Sequence, residues 1–141
     1  MQVTRRALKH SALTEKIIGA FYSVYNDLGP GFLESVYQRS MAIALLEAGL
    51  SAQMEVPVPV WFRGQQVGDF RADLVVEQIV LLELKTARAI DSSHEGQILH
   101  YLCSTQIELG LLLNFGPKAE FKRFILENNN KNIRENPGDP R

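Results

Sequence analysis

The chain has 141 residues, 45% of them hydrophobic and 22% charged, with 15 Lys and Arg against 16 Asp and Glu for a formal net charge of −1. That length suits one domain with a true core, and the near balance of charge excludes a global positive field toward nucleic acid, so any such binding needs a local patch. A single cysteine, Cys103, excludes an internal disulfide or a cysteine-built metal centre within one chain, while the lack of a long apolar run or an apolar start after Met1 leads to the expectation of a cytoplasmic protein with no membrane partner.

After an arm over residues 1–10, Leu13, Ile17, Ile18, Phe21, Val24, Tyr25 and Leu28 recur at helical spacing and predict a helix from about Ser11 to Leu28. Gly29-Pro30-Gly31 stops it. A second helix is expected from about Phe32 to Ala48, with Val36, Tyr37, Ile43, Ala44 and Leu46 available for packing, Glu34 in its first turn and Gly49 as its cap. Met54, Val56, Val58, Val60 and Phe62 then alternate with more polar positions, and Pro57 and Pro59 suit an edge strand. Arg63-Gly64-Gln65 turns the chain into a strand from about Gln66 to Val76, with Gly68, Phe70, Ala72, Leu74 and Val76 on one face and Val67, Asp69, Arg71, Asp73 and Val75 on the other.

A third strand follows over Ile79 to Thr86. Its charges, Glu83 and Lys85, interrupt an otherwise apolar run, where an unpaired ionised group costs several kcal/mol or shifts its pKa until neutral. A divalent cation held by Asp73 and Glu83, with Lys85 beside it, would compensate them, although spacing alone fits a structural ion pair as well. Register decides whether the carboxylates can meet. A two-residue loop at Glu77-Gln78 would set Asp73 against Leu82, on the wrong side of the sheet, so the expectation is a three-residue connection or a bulge, through a loop including Glu77, Gln78 and Ile79, that sets Asp73 opposite Glu83 or one diagonal step away.

Asp91-Ser92-Ser93 begins a helix to about Thr105 that carries His94, Gln97 and Tyr101 on one face, with Leu99, Leu102 and Cys103 expected inward. Leu109 to Phe115 reads as a fully buried strand closed by Gly116-Pro117, and Phe121 to Leu126 as a last one. Residues 11–127 thus form the domain, and the polar stretch 128–141 is expected to be a flexible tail.

A helix, a three-strand antiparallel meander with Asp on its second strand and Glu-x-Lys on its third, then a helix and a strand, resembles the PD-(D/E)XK nuclease superfamily, here with an extra N-terminal helix and a final strand. Gly31-Phe32-Leu33-Glu34-Ser35-Val36-Tyr37 is similar to the signature of one branch, the GxxExxY family. Similar phrasing continues at Val67 to Asp73, Leu82 to Lys85, Gln97 to Leu102 and Leu109 to Gly116. The resemblance implies a mixed α/β, restriction-endonuclease-like core and a metal-dependent nuclease that hydrolyses phosphodiester bonds, with DNA the expected substrate. It implies Asp73, Glu83, the Leu84 backbone carbonyl and Glu34 as ligands of Mg2+, with Mn2+ as a substitute, and Asp73, Glu83, Lys85 and Glu34 as the catalytic set. Oxygen-only ligands suit such a hard cation. Gln97 and Tyr101 match a Gln-x-x-x-Tyr element that contacts the nucleic-acid strand, and His94 and Arg71 are further candidates for that contact.

Plainer roles compete for several of these residues. Glu34 could simply complement the helix dipole, Tyr37 reads as core, and Trp61 could serve a dimer contact or a stacking platform. Ala72 stands where the superfamily name has proline. Phosphate donors are few: Arg63, Arg71, Lys85, Arg88, Lys118, Lys122 and Arg123, with Arg5, Arg6 and Lys9 on the arm. A homodimer is one way to widen so small a groove, and a non-catalytic nucleic-acid-binding or regulatory module with the same fold is the alternative function.

Overall fold

The computed structural model describes residues 9–131; Arg5, Arg6 and the stretch 132–141 lie outside the described residues. Helix α1, Ser11–Leu28, buries Thr14, Ile17, Ala20, Phe21 and Val24 along one stripe. It ends at Gly29, whose φ of 67° is left-handed and whose N–H donates to the Tyr25 carbonyl at 2.7 Å, and Pro30 cannot extend a helix. Helix α2, Glu34–Glu47, closes with Gly49 at φ 80°, the Gly49 and Leu50 N–H groups donating to the Leu46 and Leu45 carbonyls.

The stripe that α2 buries is Tyr37, Met41 and Leu45. Val36, Ile43 and Leu46, expected to pack, are 36%, 61% and 72% exposed. This helix carries apolar residues around most of its circumference, so periodicity leaves two candidate stripes, and Tyr37 decides between them. Its ring stacks on Phe115 with centroids 4.2 Å apart, and its hydroxyl donates to the Gly29 carbonyl while accepting from the Phe32 N–H.

Five strands follow in the order β1-β2-β3-β4-β5: Ala52–Phe62, Gln65–Val76, Val80–Lys85, Leu109–Phe115 and Ala119–Ile125. The first three pair antiparallel, β3 and β4 are parallel and joined through α3, Ser92–Cys103, and β5 returns antiparallel. The expected α/β architecture is therefore the one observed. Pro57 and Pro59 sit on the edge strand β1, where a missing N–H is harmless.

Alternation sorts the strands between two cores. Leu74, Val76, Leu82, Leu84, Leu111, Leu113 and Phe115 pack under α1 and α2. Val75, Leu81 and Leu112 pack against Ile98, Tyr101 and Leu102 of α3. Leu99, expected inward on α3, is 40% exposed and Cys103 is half-buried; the helix presents positions 98, 101 and 102 instead, an i, i+3, i+4 face one step away. Beyond β5 the chain stays in contact with the domain. Asn128–Asn130 forms a short 3-10 turn, the Asn128 N–H donates to Glu108, and the Lys131 ammonium donates to the Thr105 and Ile107 carbonyls. Among the described residues, no helix is long and apolar enough to cross a membrane.

Candidate active site

The β2–β3 ladder pairs Leu74 with Leu82, Val75 with Leu81 and Val76 with Val80, which leaves Glu77, Gln78 and Ile79 as the connection. Glu77 and Gln78 take left-handed φ values of 54° and 58°, and the Ile79 N–H returns to the Val76 carbonyl at 2.9 Å. Extending this register by one position sets Asp73 opposite Glu83. The loop length on which the pairing depends is thus the three-residue one.

At Asp73 the chain leaves the regular ladder. Its N–H donates to Glu83 Oε1 at 3.4 Å, its carbonyl accepts from Gln38 Nε2 at 2.9 Å, and its own Oδ2 accepts the Leu84 N–H at 2.7 Å. Across from it on β1, Glu55 has a left-handed φ of 56°, so the β1–β2 pairs on either side, Met54 with Leu74 and Val56 with Ala72, are separated by an irregular step. Past this step Ala72 packs in the α3-side core, away from Leu74 and Val76, whose face it was expected to share. The two strands therefore exchange side-chain to backbone bonds where sheet bonds would otherwise run.

Glu83 is only 3% exposed. Burial first, and the Asp73 carboxylate second, push its carboxyl up to about 8, with Lys85 pulling the other way. Asp73 is also raised, chiefly by burial, against the opposing effect of its bond from Leu84. Lys85 lies two positions from Glu83 on the same strand face. It acts on both carboxylates through space, since no ion pair among the described residues joins it to either. Glu34, the first residue of α2, is exposed, and its charge raises both acids further. Tyr37 fixes that helix start by holding the Gly29–Phe32 loop.

Two closely opposed carboxylates, Glu83 buried and Asp73 half-buried, with a weakened tendency to ionise form a site that a cation would relieve. Each has an oxygen without a hydrogen-bond partner among the described residues, and the donor set is all oxygen, as a hard divalent ion requires. Among the described residues, no group of three His, Cys, Asp or Glu side chains gathers closely enough to hold a metal, so the side-chain site is the Asp73–Glu83 pair, with Glu34 standing off from it.

On α3, Asp91 caps the helix by accepting from the Ser93 and His94 N–H groups, and His94 Nδ1 accepts the Asp91 N–H in return, leaving Nε2 as its available nitrogen. Gln97 Nε2 donates to the Tyr101 hydroxyl at 3.1 Å. Tyr101 is 5% exposed, which takes its ring out of use as a stacking platform and leaves its hydroxyl, whose pKa is raised by burial and then by Glu83. Arg71 is exposed, with Nη1 3.4 Å from the Glu55 carbonyl. Several other cations are already engaged: Lys122 with Glu95, Lys9 with Glu108, and Arg123 with the Thr14 hydroxyl.

Two residues escaped the sequence reading. Gln38, one turn after Glu34 on α2, joins Asp73 to Glu55, with Nε2 2.9 Å from both acceptors. Asn114, fully buried on β4, clamps both the N–H and the carbonyl of Ala87 at 2.9 Å and so holds the segment leaving Lys85. A polar residue inside the apolar run Leu109–Phe115 carries the same signal that Glu83 gave.

A sequence model of the PD-(D/E)XK nuclease superfamily matches residues 11–124. No curated protein matches the chain significantly. Among solved structures, the crystal structure of SSO0001 superposes with a TM-score of 0.49 at 17% identity, over 87% of this chain and 62% of that one, so this chain spans less than two thirds of its length. The superfamily match extends from the start of α1 into β5 and contains Asp73, Glu83 and Lys85: the chain belongs to the PD-(D/E)XK nuclease superfamily.

Proposed function

We propose that this protein is a divalent-metal-dependent nuclease that hydrolyses phosphodiester bonds, with DNA as its main substrate. The observation that carries the reading is the opposition of Asp73 and Glu83, two acids held against each other at a cost that a bound cation would offset. In this reading, Asp73, Glu83 and the Leu84 carbonyl hold Mg2+, for which Mn2+ substitutes, and Glu34 joins the outer sphere through water. The ion would polarise a phosphoryl oxygen and acidify a nearby water. Lys85 brings a compact positive charge to the same face and offsets charge that develops on the phosphate. Gln97 and the Tyr101 hydroxyl hold the strand near the scissile bond, helped by His94 Nε2 and Arg71. Gly31, Glu34 and Tyr37 support placement in the GxxExxY branch. A cytoplasmic location and a homodimer that extends the short groove belong to the same proposal.

Incubating the protein with single-stranded and duplex DNA and with RNA, in Mg2+ or Mn2+, tests it. Cleavage should fall about a thousandfold in Asp73→Asn and about a hundredfold or more in Lys85→Ala. Binding without cleavage in the wild type would favour the non-catalytic module, a reading encouraged by the engagement of Lys9, Lys122 and Arg123 within the protein.

A further inference from the structure

Beside the carboxylates, the N-terminal half of α3 and strand β2 enclose an open groove of about 440 Å³, within the size range of small-ligand sites. One wall is Phe70, 42% exposed although aromatic, its ring 5.6 Å from that of Tyr101. The other is α3 itself. Gly96 lines the groove without a side chain, and a Cβ built there would meet nothing within 4 Å, so the helix backbone is bare where it faces the opening. Gln97 and the two imidazoles of His94 and His100 supply polar edges. With Gln97 Nε2 given to Tyr101, its amide oxygen remains an acceptor, and His94 keeps Nε2. Tyr101 lines the groove, packs in the same core as Leu81 and Leu112 beside the Glu83 strand, and has its phenol raised by burial and then by Glu83 and Asp73.

An exposed aromatic face, a slot beside a glycine and hydrogen-bonding groups along its edge match one kind of occupant, a flat heteroaromatic ring with polar edges. A base inside a duplex has both faces covered by its neighbours and cannot enter such a slot, whereas an unpaired base can stack. We propose that this groove receives one unpaired nucleobase of the substrate strand, stacked on Phe70 and read along its edge by Gln97 and His94, so that the enzyme selects single-stranded or locally opened nucleic acid. The inference rests on the nuclease reading and adds the substrate's form to it.

The test uses the full chain with Ca2+ in place of Mg2+, a single-stranded DNA oligonucleotide carrying 2-aminopurine at successive positions, and the duplex of the same sequence. Wild type should bind the single strand more tightly than the duplex and quench the fluorophore strongly at one position. Phe70→Leu should weaken single-strand binding about tenfold, lose that quench and leave duplex binding unchanged, while Phe70→Tyr retains both. Gly96→Leu fills the slot with a better helix former, so it should keep or raise the melting temperature and still weaken single-strand binding. Equal binding of duplex and single strand by wild type, or quenching that survives both Phe70→Leu and Gly96→Leu, overturns the base site. Cleavage that persists in those same variants would leave the nuclease standing without it, and failure to bind or cut either nucleic acid overturns both.

Discussion

On β3, Leu82 and Leu84 enter the apolar core beneath α1 and α2, while Glu83 and Lys85, one residue out of phase, turn to the face covered by α3 alone. The first face is sealed by two helices that bring Phe21, Ile17, Tyr37, Met41 and Leu45 against the strands. The second is sealed only as far as Tyr101, beyond which Phe70 of β2 and the α3 residues border an open groove. Acids are tolerated on the less covered face because backbone N–H groups released from strand pairing reach them: the Asp73 N–H goes to Glu83 and the Leu84 N–H goes to Asp73. A cut in the ladder, which weakens a sheet elsewhere, here supplies donors to acids.

Truncation on the sealed face should give the largest effect on stability. Leu82 is fully buried, and Leu82→Ala should cost about 2 to 5 kcal/mol in a urea titration, with little change in the Mg2+ concentration needed for half-maximal cleavage by the protein that stays folded. A larger effect on metal response than on stability would show that the two faces are coupled, not separate.

The open face should respond to pH in a way the sealed one cannot. Because the folded-state pKa of Glu83, about 8, lies above its ordinary value of 4.5, the folded metal-free protein keeps a proton that the unfolded chain has released. Stability is therefore undiminished below about pH 4.5 and is lost as pH rises through 8, on the order of a few kcal/mol in total. Thermal melts in chelator should fall over that window, melts of Glu83→Gln should be flatter, and Mg2+ should stabilise wild type more at pH 8 than at pH 5. A wild-type profile as flat as that of Glu83→Gln would remove the idea that this carboxyl is strained.

These contrasts also show what the sequence could and could not disclose. An acid and an amine inside Ile79–Thr86 are legible because burial makes them expensive, and the need for a three-residue loop followed from the period of a strand. The α2 stripe was misread because Val36, Ile43 and Leu46 are as apolar as Met41 and Leu45, and only the stacking of Tyr37 on Phe115 selects the face. The displacement of Ala72 to the α3 side was hidden for a related reason: strict alternation puts it on the face of Leu74 and Val76, and nothing local to Ala72 announces the break at Asp73.

Asn114 tests how the site's outer segment is held. Asn114→Ala would strip the Ala87 N–H and carbonyl of their partners, which should cost about 1 to 3 kcal/mol and lower kcat more than it raises KM, because Lys85 loses its anchor while the groove is untouched. The adjoining Gly116 makes the same contact intolerant of bulk, since a Cβ there would lie 2.1 Å from the Ala87 carbonyl oxygen.

The smallest effect is expected at Gln38, whose side chain reaches from α2 to the irregular step at Asp73. Gln38→Ala removes two hydrogen bonds, to the Asp73 carbonyl and to Glu55, in a half-exposed setting, so its cost in stability should be about 1 kcal/mol. If Gln38 merely satisfies a stray carbonyl, cleavage should not change beyond that loss. If it holds Asp73 in register with Glu83, kcat should drop several-fold and the Mg2+ requirement should rise, because a carboxylate displaced by a fraction of an ångström still binds the ion but binds it poorly. We expect the second result: with the Asp73 carbonyl free of its ladder partner, Gln38 from α2 joins the Leu84 N–H and Glu83 Oε1 of β3 in fixing where this acid stands.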